Sequence, residues 1–448
     1  MAQHYGKDLT CGSIPRHLIS LAVPMLVANL LNAGYAVINT IWVGNIVGPD
    51  AVGATAVSFP IFFILIAVAA GATMAVSILV AQYYGAKNHA MVARVVNTSF
   101  AFFLILGALL TAAGILATDK LLRLMDTPPE IFPQASQYMK ISLFGLTFIF
   151  MFFMITAILR GIGDTVTPLV FLGVSAGINA ILDPLLIIGI GPFPKLGLNG
   201  AAYASVFSQG IAFVAALIYL NKKGAIVRFR TIKLDPAITG LIFKIGFPSM
   251  IQQSLVAIGA AFITAFVNRF GAQATAAFGA AMRIEALAIM PAMSMSMAVT
   301  ALAGQNLGAG KPERVKEIFR AGVLMSLAVT AAVSLSALAA PKLLLSMFVH
   351  ESEVLAIGAN YLRIVGAGYL LFAVMLISNG IINGSGHTLV TMTFALVALW
   401  VVRVPAASYL AKTRLGLNGI WLAVLGSFAS WPWSAWPTTR RAGGRSWQ

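Results

Sequence analysis

Twelve long apolar stretches separated by short polar segments dominate the pattern of this 448-residue chain. Each of the first eleven holds about 20 residues or more, the length that an α-helix needs to cross a bilayer. The stretches cover residues 18–42, 52–81, 95–117, 136–159, 167–191, 198–220, 239–267, 275–303, 321–340, 355–382, 389–410 and, more weakly, those from 415 onward. The first is too long for a signal-peptide core, so we interpret it as a retained helix. The pattern predicts an all-α integral membrane protein with twelve transmembrane helices.

The composition supports this class. The chain is 59% hydrophobic and 9% charged, with a mean hydropathy of +0.91, whereas soluble proteins carry about 25% charged residues. The net charge of +16 arises from loop residues without interleaved aromatic side chains, so we expect no nucleic-acid partner. The single cysteine, Cys11, excludes an intramolecular disulfide.

The basic residues also predict the orientation. Alternate loops, counted with the amino-terminus inside, hold 18 Lys and Arg residues, and the opposite loops hold 7. The positive-inside rule then places both termini in the cytoplasm. We expect a multi-pass protein of the cell inner (plasma) membrane.

The second half of the chain repeats the first at a shift of about 223 residues. The matching pairs are Ala81–Ala86 with Gly304–Ala309, Gly161–Asp164 with Gly384–His387, and Leu196–Gly200 with Leu415–Gly419. Because each half holds six spans, the halves are parallel repeats, as in transporters that alternate their access between the two sides. We predict a six-helix lobe over residues 1–220, a cytoplasmic linker over 221–238, and a second six-helix lobe over 239–448.

Asp183 is one of two acidic residues inside the long apolar stretches, together with Glu285. A carboxylate at bilayer depth costs roughly 2.5 to 3.5 kcal/mol and by default indicates an ion or proton pathway. Asn179 lies four residues earlier, on the same helix face. Pro184 has no N–H group and frees the carbonyl of Ala180. These polar groups predict a cation or proton site on one helical turn, although a structural buried acid is an alternative.

Several of these motifs together resemble the multidrug and toxic compound extrusion (MATE) family, with its DinF-like branch as the best match. They are the paired Gln-x-x-Gly-Ala signatures at Gln82 and Gln305, Pro24 before Asn39–Gly44, the Asn179, Asp183 and Pro184 cluster, Gly200–Ala202, and Arg283-x-Glu285. The resemblance covers residues 15 to about 426. It implies a twelve-helix antiporter that expels organic, often cationic compounds in exchange for H⁺ or Na⁺.

The resemblance also implies a cation site in the first lobe, at Tyr35, Asn39, Asn179, Asp183 and Ser205. The position of Asn39 is commonly Asp in the family, so this chain has one titratable carboxylate there where two are usual. Na⁺ is an alternative ligand of Asp183, Asn179 and Asn39, because hard cations prefer oxygen ligands. We favour H⁺ as the coupling ion.

Pro24 lies inside the first span, where it removes a helical hydrogen bond and weakens the helix locally. We expect it to act as a hinge that lets the segment carrying Tyr35 and Asn39 move when Asp183 takes up a proton. Glu285 and Arg283 form a second predicted polar cluster, which we interpret as a satisfied charge network in preference to a second coupling site.

Two other functions remain open. A flippase for lipid-linked saccharides or a peptidoglycan precursor would need basic residues in its cavity, and Arg283, Arg363 and Arg403 are few for that purpose. A non-transporting membrane protein or an inactive homologue is the alternative of another class. We find no phosphate-binding loop, metal-ligand spacing or nucleophile motif, so we expect neither an enzyme nor a cofactor besides the coupling ion. The expected partners are small organic substrates and the lipid bilayer, and we expect a monomer.

The carboxy-terminal sequence is anomalous after about residue 428. Trp431-Pro432-Trp433 and Pro437 place two prolines where the second half of the twelfth helix is expected, and proline breaks helices. The apolar run from Leu415 to Leu425 is too short to span a bilayer. We interpret this as a frameshift, with a natural short tail as the alternative.

Overall fold

The computed structural model describes residues 6–223 and 233–430, and every regular element in these ranges is a helix. The helices of the first half are Ile14–Trp42 (α1), Pro49–Gly85 (α2), His89–Leu124 (α3), Phe132–Phe144 (α4), Leu146–Gly161 (α5), Val166–Pro184 (α6) and Leu198–Lys223 (α7). Those of the second half are Pro236–Asn268 (α8), Ala272–Gly308 (α9), Pro312–Ala339 (α10), Pro341–Leu345 (α11), Ser352–Gly366 (α12), Tyr369–Gly384 (α13), Thr388–Leu396 (α14), Val404–Leu410 (α15) and Leu417–Ala429 (α16).

These helices match the twelve predicted spans. Within the described ranges, nine continuous helical segments are long and apolar enough to cross a membrane, and two bent helix pairs bring this to eleven. The twelfth, α16, is apolar but only 13 residues long. The predicted frameshifted tail lies almost wholly beyond residue 430, outside the described residues.

The two bent pairs are a feature that the hydrophobic pattern did not predict. The α4–α5 pair bends by 41° and the α12–α13 pair by 48°. Gly145 and Gly368 lie at the bends, and each amide donates to the carbonyl three residues earlier, Ser142 at 3.0 Å and Val365 at 2.8 Å. This tighter pattern interrupts the α-helical ladder and turns the chain. The bends divide the predicted spans 136–159 and 355–382.

Three spans also contain a π-helical stretch, at Val43–Val47, Leu185–Gly189 and Val397–Arg403. The wider turn is visible in its bonds: the amide of Ile190 donates to the carbonyl of Leu185, five residues earlier, at 3.2 Å. The first two stretches pack against each other. π-helical turns are rare and occur frequently at functional sites. One of them begins two residues after Asp183.

The chain divides into two compact units. The first unit holds Pro24–Tyr84 and Asn88–Lys244, and the second holds Asp8–Val23, Gly85–Lys87 and the chain from Ile245. The division inside α1 therefore falls at Pro24. Our lobe boundaries, drawn in the linker from sequence alone, stay a prediction.

The repeated glutamine motif has a structural role in the second unit. Gln305 and Asn306 are both fully buried, and their side chains hold both backbone groups of Leu9. The Leu9 amide donates to Gln305 Oε1 at 3.1 Å, and its carbonyl accepts from Asn306 Nδ2 at 3.1 Å. Lys311 and Arg314 bind the next carbonyls, those of Thr10 and Gly12. The motif thus fixes the chain that leads into α1.

A hydrogen bond recurs in equivalent places of the two units. In the first unit, Asn199 on α7 donates to Gln137 on α4 at 2.9 Å. In the second, Asn360 on α12 and Asn418 on α16 are joined at 2.6 Å. Asn360 is the repeat equivalent of Gln137 at a shift of 223 residues, and Asn418 is the equivalent of Asn199 at a shift of 219. The duplicated halves therefore pack these helices in the same way.

Asp235 begins α8 in the first unit and offers a test of pH dependence. Its carboxylate accepts from the amides of Ala237 and Ile238, and Arg94 on α3 binds it through Nε at 3.0 Å. The hydrogen bond and charge of Arg94 hold the pKa of Asp235 below its ordinary value. A carboxylate with a lowered pKa stabilises the fold above its unfolded pKa of about 4, and this contribution is lost as the pH falls through the folded pKa.

We therefore expect Asp235→Ala to loosen the first turn of α8 at neutral pH, because both the helix cap and the Arg94 partner are lost. Hydrogen exchange of the Ala237 and Ile238 amides should become several-fold faster, and the difference from the parent should shrink as the pH falls below about 4. Asp50→Ala, in the first turn of α2, is the matched control. Equal exchange of these two amides in the parent and Asp235→Ala at neutral pH would contradict this role.

Candidate functional site

Asp183 and Asn179 meet on α6 in the first unit, as their spacing predicts. Asp183 is 0% exposed and Asn179 is 1% exposed. With the amide oriented so that both of its atoms are satisfied, Asn179 Nδ2 donates to Asp183 Oδ2 at 2.8 Å. The amide oxygen then accepts from the Tyr35 hydroxyl at 3.2 Å and from the Ser205 amide at 3.1 Å. Asn179 therefore connects the buried carboxyl group to two other helices.

Tyr35 on α1 and Ser205 on α7 complete this network. The Tyr35 hydroxyl and Ser205 Oγ are 2.9 Å apart. Three helices of the first unit thus bring one carboxyl, one amide and two hydroxyl groups together. Both side chains are partly buried, so the network runs from a fully buried carboxyl group to partly accessible hydroxyl groups. Four of the five predicted site residues form one connected group.

Asn39 is the fifth predicted residue, and the structure places it at the edge of the group. It lies one helical turn after Tyr35 on α1, and its side chain faces the Tyr35 hydroxyl. No hydrogen bond joins Asn39 to Asp183 within residues 6–223 and 233–430. Its link to the acid passes through Tyr35.

Tyr138 on α4 is a site residue that the sequence analysis missed. It lies close enough to Asp183 and Tyr35 to interact electrostatically with both. A single tyrosine in an apolar stretch carries no charge at neutral pH and does not interrupt the hydrophobic pattern, so the pattern does not indicate a role for it. The repeat comparison offers the missed signal, because Tyr138 matches Tyr361 at a shift of 223 residues.

A small cavity adjoins this network. Its volume is about 70 Å³, more than the roughly 10–15 Å³ that one water molecule needs. It is lined by Leu31, Asn32, Tyr35, Leu172, Ser175, Ala176, Asn179, Ser208 and Gln209. Six of these nine side chains are polar, so the cavity suits water or a small polar group. The Asn179 and Tyr35 end of the network lines this cavity.

The second predicted polar cluster contains Glu285, but Arg283 is not its partner. Glu285 on α9 accepts a hydrogen bond from the Tyr361 hydroxyl on α12. Arg283 does not join it: its guanidinium lies over the Phe348 ring, 5.5 Å from the centroid. Residues two apart on a helix do not face each other, which explains the separation. The basic side chain in electrostatic range of Glu285 is Arg403.

Comparison with known proteins gives the family. The MatE family model matches residues 24–185 and again 248–408. The chain belongs to the MATE family. The two consecutive matches also fall one in each predicted repeat, which confirms the duplication. Assignment to the DinF-like branch stays a prediction.

Individual MATE proteins extend the match over almost the whole chain. The probable multidrug resistance protein YoeA of Bacillus subtilis (strain 168) is 34% identical over 93% of this chain and 91% of its own length. The probable multidrug resistance protein NorM of Thermotoga maritima is 29% identical, over 92% and 89%. A multidrug resistance MATE family transporter of the MOP superfamily, solved in an outward-facing conformation, superposes with a TM-score of 0.89 at 25% identity and 98% coverage of both chains. The twelve-helix, two-lobe MATE fold is confirmed.

Proposed function

We propose that this protein is a secondary active antiporter that exports amphipathic, often cationic organic compounds in exchange for H⁺. The observation that carries the proposal is the buried Asp183 carboxyl group, which three helices of the first unit surround with one amide and two hydroxyl groups. An acid so buried can enter the membrane interior cheaply only when it binds a cation or a proton. YoeA and NorM are probable multidrug resistance proteins, which supports organic compounds as substrates.

The orientation of Asn179 that satisfies both of its amide atoms supports H⁺ as the coupling ion. In this orientation its nitrogen donates to Asp183, and its oxygen accepts from Tyr35 and Ser205. A bound Na⁺ would need that oxygen as a ligand, since hard cations bind oxygen atoms. Proton exchange at Asp183 does not require the Asn179 oxygen to leave Tyr35 and Ser205. Na⁺ at Asp183, Asn179 and Asn39 is the competing proposal.

The setting we propose is the inner (plasma) membrane, with both termini in the cytoplasm. We propose that the protein acts as a monomer without a cofactor, a nucleic-acid partner or enzymatic activity.

Flippase activity finds less support. Arg283 stacks on Phe348, Arg363 is exposed, and Arg403 binds Ser427, so these three do not gather around a diphosphate.

Transport in proteoliposomes distinguishes these functions. Vesicles containing the purified protein are loaded with a fluorescent cationic dye, and either a pH gradient or a Na⁺ gradient is imposed. We expect the pH gradient alone to drive movement of the dye against its concentration gradient. Dye movement driven by the Na⁺ gradient alone would identify Na⁺, and not H⁺, as the coupling ion. Absence of dye movement together with translocation of a labelled lipid diphosphate would support the flippase, and absence of both would indicate an inactive homologue.

Tyr35→Phe tests the network around Asp183. The substitution removes only the hydroxyl that reaches Ser205 and Asn179. Each of these two hydrogen bonds is worth about 1 kcal/mol, so we expect the initial rate of proton-driven dye export to fall by about thirtyfold if both are lost. Tyr203→Phe, an exposed tyrosine on α7, is the matched control. Equal export rates in Tyr35→Phe and Tyr203→Phe would remove Tyr35 from the site.

A further inference from the structure

The second unit contains a counterpart of the Asp183 site. Tyr138 of the first unit matches Tyr361 of the second at the repeat shift. The twin hydrogen bonds, Gln137 with Asn199 and Asn360 with Asn418, show that the helices around the two tyrosines pack equivalently. The surroundings of Tyr361 can therefore be compared position by position with those of Tyr138.

Arg403 occupies the place that corresponds to Asp183 to within one residue. Asp183 precedes the Leu-Gly-Leu-Asn-Gly motif at Leu196 by 13 residues, and Arg403 precedes the same motif at Leu415 by 12. Arg403 Nε donates to Ser427 Oγ on α16 at 2.7 Å. Ser427 is the repeat equivalent of Ser208, which lines the cavity beside Asn179. A fixed positive charge thus lies within one residue of the position that corresponds to the acid of the first unit.

Glu285 supplies the opposite charge. It is bound by the Tyr361 hydroxyl, and Arg403 lies in electrostatic range of both Glu285 and Tyr361 without a direct ion pair to Glu285 in the described residues. Tyr369 on α13 also faces Glu285. Its ring is 1% exposed, and its hydroxyl has no hydrogen-bond partner within the ranges described. Arg283 is directed away, onto Phe348.

We propose that the Arg403 guanidinium is a built-in cation that fills the second unit's counterpart of the coupling site, so that only the first unit exchanges an ion. Glu285 is its counter-ion, and Tyr361 and Tyr369 are the hydroxyl groups that surround the pair. A buried acid with a permanent cation in electrostatic range needs no proton to become electrically compensated. The proposal rests on the proposed function only in taking Asp183 as the coupling acid of the first unit.

Removing the positive charge should turn Glu285 into a proton acceptor. Arg403→Gln retains a donor for Ser427 but leaves the carboxylate uncompensated in a water-poor interior, where an isolated charge is neutralised by proton uptake. Infrared difference spectroscopy detects the carbonyl stretch of a protonated carboxyl group in the purified protein. All variants are made with Asp183→Asn, which removes the first unit's signal and makes the readout independent of transport.

We expect Asp183→Asn alone to show no protonated-carboxyl band near neutral pH, and Asp183→Asn/Arg403→Gln to gain one carboxyl band. Adding Glu285→Gln to the latter should abolish that band and identify its source. Arg403→Lys preserves the charge and should show no band. If arginine at this position is indispensable for folding, the Asp183→Asn protein with Arg403 intact still tests the proposal.

Two results would overturn it. A Glu285 band that is already present with Arg403 intact, or in the Arg403→Lys variant, would show that the charge does not fill the site. Absence of the band in Arg403→Gln would show that Glu285 stays ionised without it. Failure of the proposed function would appear elsewhere, as proton-coupled dye export that survives Asp183→Asn. The two failures are therefore distinguishable.

Discussion

Proton-driven export should be lost when Asp183 is replaced by Asn. The substitution keeps the size and most of the hydrogen-bonding capacity of the side chain but removes the group that exchanges a proton. Because a neutral amide avoids the cost of burying a charge, we expect the variant to insert and fold as well as the parent. Dye accumulation driven by a pH gradient in proteoliposomes should fall to the level of protein-free vesicles.

Asp126→Asn is the matched control for this experiment. Asp126 is exposed beyond α3 and has a backbone φ of 49°, a conformation that Asn also tolerates. Its replacement should leave export unchanged. A folded Asp183→Asn protein that exports dye as fast as Asp126→Asn would refute the assignment of the coupling site.

Gly85→Ala should destabilise the protein strongly for a change of one methyl group. Gly85 ends α2, and an added Cβ would lie 2.0 Å from the backbone carbonyl oxygen of Gln305. Since that oxygen belongs to a buried helix, the backbones must separate. Overpacking of this kind costs about 1–3 kcal/mol. We expect the Tm of the purified protein, followed by circular dichroism in detergent, to drop by several degrees.

Gly173→Ala on α6 separates this contact from a general effect of glycine. A Cβ at Gly173 meets no atom within 4 Å, and alanine favours helices over glycine by about 1 kcal/mol. Its Tm should stay the same or rise. If Gly85→Ala and Gly173→Ala had the same Tm, the close approach of Gly85 to Gln305 would carry no energetic weight.

Hydrophobicity alone located the spans, but it underestimated the lengths of the helices. The predicted third span ended at residue 117, whereas α3 extends from His89 to Leu124. Its ends carry Arg94, Lys120 and Arg123, whose polar heads suit the water-facing ends of a helix. An apolar window ends where charges begin, although the helix continues. The bends at Gly145 and Gly368 escaped prediction because a glycine inside a span is compatible with a straight helix as well.

The site was predictable only where its residues share one helix. Asn179 and Asp183 follow from helical spacing, but the partnership with Tyr35 and Ser205 came from family resemblance, since no local rule joins residues 170 positions apart. The predicted pairing of Arg283 with Glu285 rested on their separation of two residues and their opposite charges. The actual neighbours of Glu285, Tyr361 and Arg403, come from other helices and depend on packing.

The π-helical stretch at Leu185–Gly189 makes the site sensitive to chain length as well as to side-chain identity. Such a turn accommodates one more residue than an α-helical turn, so a single deletion there would restore α-helical geometry and rotate Asp183 by about 100° relative to the following chain. The repeat shift changes from 223 to 219 residues across the equivalent span, which holds the longer stretch Val397–Arg403. A one-residue insertion or deletion in these turns would therefore change which side chain faces the interior of a lobe, without any substitution at the site itself.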